Sequence, residues 1–229
     1  MPNELTLGPP ARAVPDAATG LSDRAVELPD PTADWYDPTA GTNQPPGPDL
    51  VAAQRAAADF LTALGVRLDD DGLRDTPARM ARAYAELFAP RPMRLTTFPN
   101  SDGYKELVVA RGIPFRAVCE HHLLPFCGVA HVGYLPGERI LGLSKLARLV
   151  EHFAARPQSQ ERLTQQVADC LSDSLQPCGA GVVLEAEHTC MTVRGVRAIG
   201  ATTITSALVG TLRGKRARRE FFALAGVHA

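Results

Sequence analysis

The sequence predicts an α+β domain: an antiparallel sheet with helices packed on one face, preceded by an N-terminal helical segment. Two observations lead to this fold class. Apolar residues recur at helical spacing in 48–95, whereas short runs with strand character dominate 104–225. A pair of helices interrupts the strands and a last helix follows them, an order typical of helices segregated to one face of a sheet. We therefore expect one domain over 48–229, large enough to be an enzyme.

Residues 1–47 differ in composition from the rest of the chain. They are rich in proline and lack apolar periodicity, so we expect a flexible extension. The first 16 residues lack the continuous apolar segment of a secretory signal, and no apolar run reaches about 18 residues. The sequence therefore predicts a cytoplasmic protein without a membrane span.

The cysteine content agrees with this location. The chain has five cysteines, an odd number without the dense spacing of a secreted disulfide scaffold. Reduced thiols are expected, and a disulfide between Cys119 and Cys190 is the alternative.

The charge balance argues against nucleic acid or a membrane surface as a partner. The chain has 24 basic and 25 acidic residues, so it has no overall attraction for polyanions. One basic cluster stands out near the end of the chain: Arg213, Lys215, Arg216, Arg218 and Arg219. A solvated turn or a subunit contact is the favoured interpretation of this cluster.

Two helices are expected at the start of the domain. The first carries apolar residues at helical spacing over 50–64, and a glycine provides its stop. The second begins at Thr76, an N-cap residue followed by Pro77 in the first turn, and its apolar face continues to Pro90. The two helices are expected to pack together.

The rest of the domain alternates between strands and helices. β-Branched and apolar runs predict strands over 107–110, 114–118, 128–134, 181–187 and 202–208. Three further helices are expected: one capped by Ser144, a longer one over 159–175, and a last one over 219–224.

Two short segments carry the residues suited to a transition metal: Cys119-Glu-His-His122 and His188-Thr-Cys190. Two thiolates and one imidazole leave a fourth tetrahedral position for water, which is the arrangement of a catalytic zinc. If strand 181–187 continues, His188 and Cys190 project to the same face. Cys119 and His122 converge if their strand ends in a turn, which leaves His121 as an acid or base, although the reverse assignment of the two histidines stays open. His131 is interpreted as an ordinary strand residue.

Several blocks of the sequence resemble GTP cyclohydrolase I. The blocks occur in family order between about residues 50 and 225: Gly72-Leu-Arg-Asp-Thr-Pro77, Cys119-Glu-His-His-Leu-Leu-Pro-Phe126, Gly142-Leu-Ser-Lys-Leu-Ala-Arg148, Gln160-Glu-Arg-Leu-Thr-Gln-Gln166 and His188-Thr-Cys-Met-Thr-Val-Arg-Gly195. The resemblance implies a tunnelling fold and a toroidal homodecamer with active sites at subunit boundaries. It also implies conversion of GTP and water into 7,8-dihydroneopterin triphosphate and formate.

The resemblance also assigns roles at the metal. Cys119, His122 and Cys190 match the zinc ligands, and zinc would lower the pKa of its water for attack at C8 of guanine. His188 matches the general acid that protonates the purine near N7, and His121 matches a second active-site histidine.

A further set of residues matches the substrate-binding group of the family. Glu161 matches the carboxylate that recognises guanine N1 and its exocyclic amino group, and Gln160 would assist it. The ribose and triphosphate would be held by Ser144, Lys145, Arg148 and Arg194. Ser144 would also help the later rearrangement of the sugar.

Some positions depart from the family pattern, and two other functions stay open. Val129 stands where the family often has lysine, Ser159 replaces a commonly aliphatic residue, and the basic turn near Lys215 is short. One alternative is a zinc nucleobase deaminase, although its His-x-Glu and Pro-Cys-x-x-Cys pattern is absent from the sequence. The other is a zinc-stabilised or nucleotide-sensing protein without catalysis, for which a fourth protein ligand on the metal would be diagnostic.

Overall fold

The computed structural model describes residues 24–27 and 47–227. These residues form an α+β structure with eight strands, six α-helices and one 3-10 turn at Thr211–Arg213. The helices are α1 Leu50–Ala63, α2 Thr76–Leu87, α3 Ser144–Ala154, α4 Gln160–Leu175, α5 Thr189–Thr192 and α6 Lys215–Ala225. The strands are β1 Arg24–Glu27, β2 Arg94–Pro99, β3 Val108–Cys119, β4 Pro125–Leu135, β5 Arg139–Leu141, β6 Pro157–Gln158, β7 Gly179–His188 and β8 Thr203–Gly210. The mixed α+β class predicted from the sequence is confirmed.

The strands form two sheets. The smaller has the order β1-β2-β5, and the larger has the order β6-β3-β4-β7-β8. Neighbouring strands are antiparallel except β3 and β6, which are parallel. Strand β1 belongs to the 1–47 segment, which we expected to be a flexible extension, and the other residues of that segment up to 46 lie outside the described part of the chain.

Helices α1 and α2 pack against each other, as expected, although Leu50, Val51 and Phe60 of the apolar positions predicted in α1 are exposed. The Asp49 carboxylate accepts hydrogen bonds from the backbone N–H groups of Val51 and Ala52, which satisfies free donors at the start of α1. The second helix begins at Thr76, as expected, but the cap position belongs to Asp75.

The main core lies between the larger sheet and helices α3 and α4. Side chains of β4 and β7 alternate between the two faces of the sheet, so Phe126, Val132 and Leu184 point into this core. Helix α3 contributes Leu146 and Leu149, both fully buried. Burial of these side chains fixes α3 and α4 on the sheet.

Helix α6 packs on the opposite face of the sheet, so the expectation that the helices cover one face is wrong. Phe221 is fully buried there in a cluster with Val183 and Leu212. Room for its ring comes from two glycines that face each other across β4 and β7, Gly133 and Gly181. A Cβ at either position would lie 2.9–3.1 Å from Phe221. Helix packing on this second face could not be predicted from the sequence, because the apolar part of α6 is short and the surface on which α6 packs contains two glycines.

Other boundaries also differ from the expectations. One strand, β3, replaces the two strands predicted over 107–118, because a register shift between Ala110 and Ile113 lets the pairing continue past Gly112, whose φ is +68°. Helix α6 begins at Lys215, ahead of the predicted residue 219. Ser144 is the first residue of α3 and does not cap it, whereas Ser159 accepts a hydrogen bond from the N–H of Arg162 and caps α4.

Several elements meet at one end of the larger sheet. Strand β3 ends at Cys119 and β7 ends at His188, while β4, β8 and α4 begin at the same end. His188 is paired with Phe126 across β7 and β4, and β6 lies next to Val118 and Cys119. This end of the sheet therefore gathers the two segments singled out as metal-binding.

Candidate metal centre

Cys119, His122 and Cys190 converge at this end of the sheet. One ligand atom from each residue lies within 4.8 Å of the other two. Cys119 is buried, Cys190 is half-buried and His122 is exposed, so the group opens toward solvent on the histidine side. This geometry gives a three-ligand site at the surface of the chain.

A tight turn between β3 and β4 brings His122 back toward Cys119. The N–H of Leu123 donates to the carbonyl of Cys119 at 2.8 Å, and the N–H of Cys119 donates to the carbonyl of Leu124 at 2.8 Å. His122 Nδ1 then lies 3.9 Å from Cys119 Sγ. Leu123 adopts a φ of +53°, a left-handed conformation that is uncommon for leucine. The predicted turn is therefore present, with backbone strain at Leu123.

Cys190 reaches the site from a helix, which corrects the expectation that it lies on a strand with His188. Strand β7 ends at His188, and Cys190 belongs to the four-residue helix α5. The strand alternation that predicted a shared face therefore does not apply. The chain turns at Thr189, whose hydroxyl donates to the carbonyl of Pro125 at 2.6 Å, and this contact holds the start of α5 against β4.

The two cysteines influence each other electrostatically. Burial and the nearby Cys119 thiol raise the pKa of Cys190, while Arg194 acts in the opposite direction. Two thiolates held this close repel each other, and a divalent cation between them removes that repulsion. All five cysteines are free thiols, so the alternative of a Cys119–Cys190 disulfide is not what the structure shows. The donor set fits a zinc ion.

His121 lies at the rim of the site and is held from outside. Its side chain is 68% exposed, its Nδ1 lies 3.8 Å from Cys119 Sγ, and its Nε2 lies 3.7 Å from the Glu120 carboxylate. Arg162 forms an ion pair with Glu120. The reverse assignment of the two histidines is less well supported, because His122 is the one in the three-ligand group.

His188 is the least exposed histidine near the metal ligands. Its ring stacks on Phe126 with centroids 4.5 Å apart and an angle of 6° between the planes. Burial lowers the pKa of His188, and the Glu161 carboxylate opposes that shift. The charge of Glu161 thus acts on His188, which places these two predicted residues in one electrostatic environment.

Gln160 has surroundings unlike those expected of a substrate-binding residue. Its side chain is 1% exposed, and its Oε1 lies 2.7 Å from Nε2 of His188. Its Nε2 donates to the carbonyls of Leu184 and Thr203 and to the hydroxyl of Thr205. The amide is therefore inside the protein and directed at His188.

Three predicted phosphate-binding residues lie in the N-terminal part of α3. Ser144 and Lys145 begin this helix, and Arg148 follows one turn later. The 11-residue helix is about 16 Å long, and the chain reaches β6, beside Cys119, only after its C-terminal end. Ser144 therefore lies at the end of α3 opposite to the one from which the chain continues to β6. Arg194 lies near the three-ligand group, since its charge acts on Cys190.

Sequence reasoning missed two residues that support the site. The hydroxyl of Tyr84 in α2 donates to the carbonyl of Leu123, and the ring of Phe126 supports His188. Phe126 stands inside one of the blocks that carried the resemblance, so its position was a usable signal. Tyr84 gave none, because a half-buried tyrosine on the apolar face of a helix is explained by helix packing alone.

His131 and the basic cluster lie outside the three-ligand group. His131 lies on β4, as expected, and faces away from the metal ligands. The five basic residues near the end of the chain are exposed around the start of α6. Among the described residues, no helix has the length and apolar character needed to cross a membrane.

Comparisons with known proteins indicate one family. The profile of the family described as GTP cyclohydrolase I matches residues 53–226. GTP cyclohydrolase 1 of Streptomyces avermitilis is 52% identical over 179 residues, which is 75% of this chain and 88% of that protein. The enzyme of the same name from Thermobifida fusca is 52% identical over 174 residues, covering 74% of this chain and 84% of the relative. That of Corynebacterium glutamicum (strain ATCC 13032) is 50% identical over 184 residues, covering 77% and 93%.

Among solved structures, the apo form of the archaeosine synthase QueF-Like superposes with a TM-score of 0.37 at 18% identity. It covers 45% of this chain and 93% of its own. This likeness is too slight to carry an argument. The family profile extends over most of the described chain, and the relatives share half of their residues with it across nearly their whole length. The chain belongs to the GTP cyclohydrolase I family.

Proposed function

We propose that this protein converts GTP and water into 7,8-dihydroneopterin triphosphate and formate at a zinc ion held by Cys119, His122 and Cys190. The observation that carries the proposal is the convergence of these three ligand atoms within 4.8 Å in a chain of this family. Family membership supplies the substrate and products, and the three ligands supply the place of reaction.

The donor set suits zinc in a catalytic site. Ligand atoms around a tetrahedral zinc with bonds of about 2.0–2.3 Å are about 3.3–3.8 Å apart, so small side-chain shifts bring the three ligands to bonding distance. The group contains three residues, which leaves the fourth position that catalysis needs. When bound, zinc lowers the pKa of a coordinated water toward neutrality and so supplies a nucleophile for C8 of guanine.

His188 and Glu161 are proposed to act on the base. His188 donates a proton near N7 as the five-membered ring opens. Glu161 is exposed and accepts hydrogen bonds from N1–H and the exocyclic amino group of guanine. Adenine does not offer this pair of donors, so the contact selects guanine. His121 serves as a second proton-transfer group at the rim.

We propose that the triphosphate is bound by residues from more than one copy of the chain. Arg194 belongs to the metal side of the site, where its charge reaches Cys190. Ser144, Lys145 and Arg148 lie in the N-terminal part of α3, about 9–15 Å along the helix axis from its C-terminal residue. Their distance supports a site completed by a neighbouring subunit, with Ser144 assisting the sugar rearrangement there.

The finer structural expectations follow from the same proposal. We infer a tunnelling fold assembled as a homodecamer with active sites at its subunit boundaries. The exposed edge of β8 in the described sheet and the exposed apolar residues of α1 support contacts with further copies. The five free thiols support a reducing, cytoplasmic location.

The direct test uses GTP labelled with carbon-13 at C8. Zinc-loaded protein should release labelled formate and a product that becomes a fluorescent pterin on oxidation, in equal amounts. Cys119→Ser should lose both zinc and turnover, whereas Cys127→Ser, which changes an exposed thiol outside the three-ligand group, should keep both. An assembled, zinc-loaded protein that releases no labelled formate would contradict the proposed reaction.

Mixed oligomers test whether the site spans subunits. Cys119→Ser and Arg148→Ala should each be inactive alone. Co-expressed and randomly mixed, they should recover up to about a quarter of the wild-type activity, because some sites then combine an intact metal group with an intact Arg148. Activity no greater than that of the separate variants would place all these residues in one copy.

A further inference from the structure

The buried amide of Gln160 lies between α4, β7 and β8, against His188. Gln160 directly precedes Glu161, the proposed substrate-recognition carboxylate. Unlike Glu161, Gln160 is enclosed by protein and only 1% exposed. A side chain so enclosed has little surface to offer a ligand. Its hydrogen bonds therefore act on neighbouring protein groups, and the one at the metal centre is His188.

The orientation of the amide is fixed by its partners. Nε2 of Gln160 faces three oxygens: the carbonyl of Leu184 at 3.1 Å, the carbonyl of Thr203 at 2.9 Å and the hydroxyl of Thr205 at 3.2 Å. Carbonyl oxygens only accept hydrogen bonds, so the NH2 group must point at them. The reversed amide would set its oxygen against two carbonyls and lose these bonds.

A hydroxyl chain behind the amide is consistent with this orientation. Thr164 donates its single hydroxyl proton to the backbone carbonyl of Gln160 at 2.6 Å. The hydroxyl of Thr205, 2.6 Å from that of Thr164, then donates to Thr164 and keeps a lone pair for the Gln160 amide. The hydroxyl protons of Thr164 and Thr205 therefore each have one acceptor.

We propose that Gln160 is a positioning residue that holds the neutral His188 imidazole in the tautomer with its hydrogen on Nε2. With Nε2 of Gln160 turned to its three acceptors, Oε1 faces His188 at 2.7 Å and can only accept. His188 must donate from Nε2, and Nδ1 is the nitrogen left to exchange a proton with substrate. The stacked ring of Phe126 fixes the plane of the imidazole, and Gln160 fixes its rotation within that plane.

This inference rests on the proposed function for the meaning of Nδ1, but its structural part can be tested without turnover. Zinc-loaded, assembled protein with nitrogen-15 histidine can be examined by solid-state NMR at alkaline pH, where imidazoles are neutral. The His188 signals are those absent from His188→Gln. We expect a directly protonated Nε2 and an unprotonated Nδ1. A hydrogen on Nδ1 would overturn the inference.

Variants separate positioning from simple packing. Gln160→Met removes the acceptor at similar volume and should lower kcat by about 100-fold with little change in KM, while zinc content stays at the wild-type level. Gln160→Glu, with its carboxyl hydrogen on the oxygen that faces the Leu184 and Thr203 carbonyls, keeps an acceptor for Nε2 and should restore the wild-type tautomer of His188. The matched control is Thr164→Val, which removes adjacent buried hydrogen bonds without touching His188. It should change kcat by less than about twofold while lowering the unfolding temperature.

The outcomes distinguish this inference from the proposed function. Wild-type protein that has the expected tautomer and no GTP turnover would leave the positioning role intact and remove the proposed reaction. Active wild-type protein with the hydrogen of His188 on Nδ1 would leave the proposed reaction intact and remove the positioning role of Gln160. Equal losses of kcat in Gln160→Met and Thr164→Val would reduce Gln160 to a packing residue. If Gln160→Met does not fold, the NMR measurement on wild-type protein still decides.

Discussion

The hydroxyl of Tyr84 lies 2.9 Å from the carbonyl oxygen of Leu123 and donates a hydrogen bond to it. This contact joins α2 to the turn that carries His122, at the residue whose φ is +53°. A strained turn persists when its surroundings hold it in place. Helix α2 therefore contributes to the geometry of the metal ligands, although it contains none of them.

Removal of that hydroxyl should weaken metal binding. Tyr84→Phe keeps the ring contact with Phe88 and loses one hydrogen bond of about 1 kcal/mol, so zinc affinity should fall about fivefold. Competition with a chelator measures the change. Tyr104→Phe, at an exposed tyrosine on a different turn, is the control. Equal zinc affinities of wild type and Tyr84→Phe would show that the turn is held without α2.

Zinc should protect specific thiols from alkylation. In loaded protein the exposed Cys127 and Cys178 should react, while Cys190 should not; chelation should make Cys190 reactive. Burial raises the pKa of Cys170 to about 11, so that thiol should stay unmodified in both samples and serves as an internal reference. Mass spectrometry of peptides after alkylation gives the pattern. Full reaction of Cys190 before chelation would contradict its place as a ligand.

His131 should make the fold less stable in acid. Burial lowers its pKa, helped by Arg111 and opposed by Glu185, and its Nδ1 is buried without a hydrogen-bond partner. The unfolded chain binds a proton at about pH 6.5 and the folded chain only at lower pH. Stability therefore falls as pH drops through this window. His131→Gln should show a smaller loss of unfolding free energy between pH 8 and pH 5.5, measured in urea; an unchanged loss would assign the acid sensitivity elsewhere.

Glu161 should control the choice of base. Inosine triphosphate lacks the exocyclic amino group of GTP, so wild-type protein should use it with kcat/KM lower by about 10- to 100-fold, the value of one hydrogen bond to a carboxylate. Glu161→Gln should lower activity on GTP and bring the kcat/KM values for GTP and inosine triphosphate closer together. Gln165→Glu, at an exposed position on the same helix, is the control. Unchanged discrimination in Glu161→Gln would remove Glu161 from base recognition.

The glycine pair under α6 should not tolerate a methyl group. In Gly181→Ala the new Cβ would lie 2.9 Å from Phe221, Leu208 and Leu212, so overpacking should cost about 1–3 kcal/mol of unfolding free energy. Gly142→Ala, where the nearest atoms are at 3.7 Å, should be close to neutral. Gly181→Ala combined with Phe221→Leu should recover part of the loss. Denaturant titration measures all three; a neutral Gly181→Ala would mean that α6 is free to shift.

The sequence was a good guide where chemistry is carried by residue type and local spacing. Cys119 and His122 are three residues apart, so one turn brings them together. Cys190 lies with Cys119 and His122, as predicted, but on a helix and not on a strand, because the apolar and β-branched pattern of β7 does not indicate where α5 begins. Strand β5 has three residues, too few for an alternating pattern to be recognised.

The contacts that support the site were harder to predict from the sequence, because they depend on the directions in which side chains and helices point. Gln160 was expected to face substrate since it precedes Glu161, yet successive residues of a helix point about 100° apart, and its amide enters the core. The far position of Ser144 follows from the path of α3, which local patterns do not contain. Composition and periodicity locate reactive groups; the packing of elements decides which of them meet.

The two proposed sulfur ligands come from distant parts of the chain, and this has a mechanical consequence. An ion shared by Cys119 and Cys190 would connect the β3–β4 hairpin to α5 and close a loop that contains β4, α3, α4 and β7. A cross-link across so long a loop lowers the entropy of the unfolded chain, so binding energy becomes folding energy. Metal loss would therefore loosen the end of the sheet that carries the three proposed ligands as well as stop the proposed reaction. A chelator should lower the melting temperature.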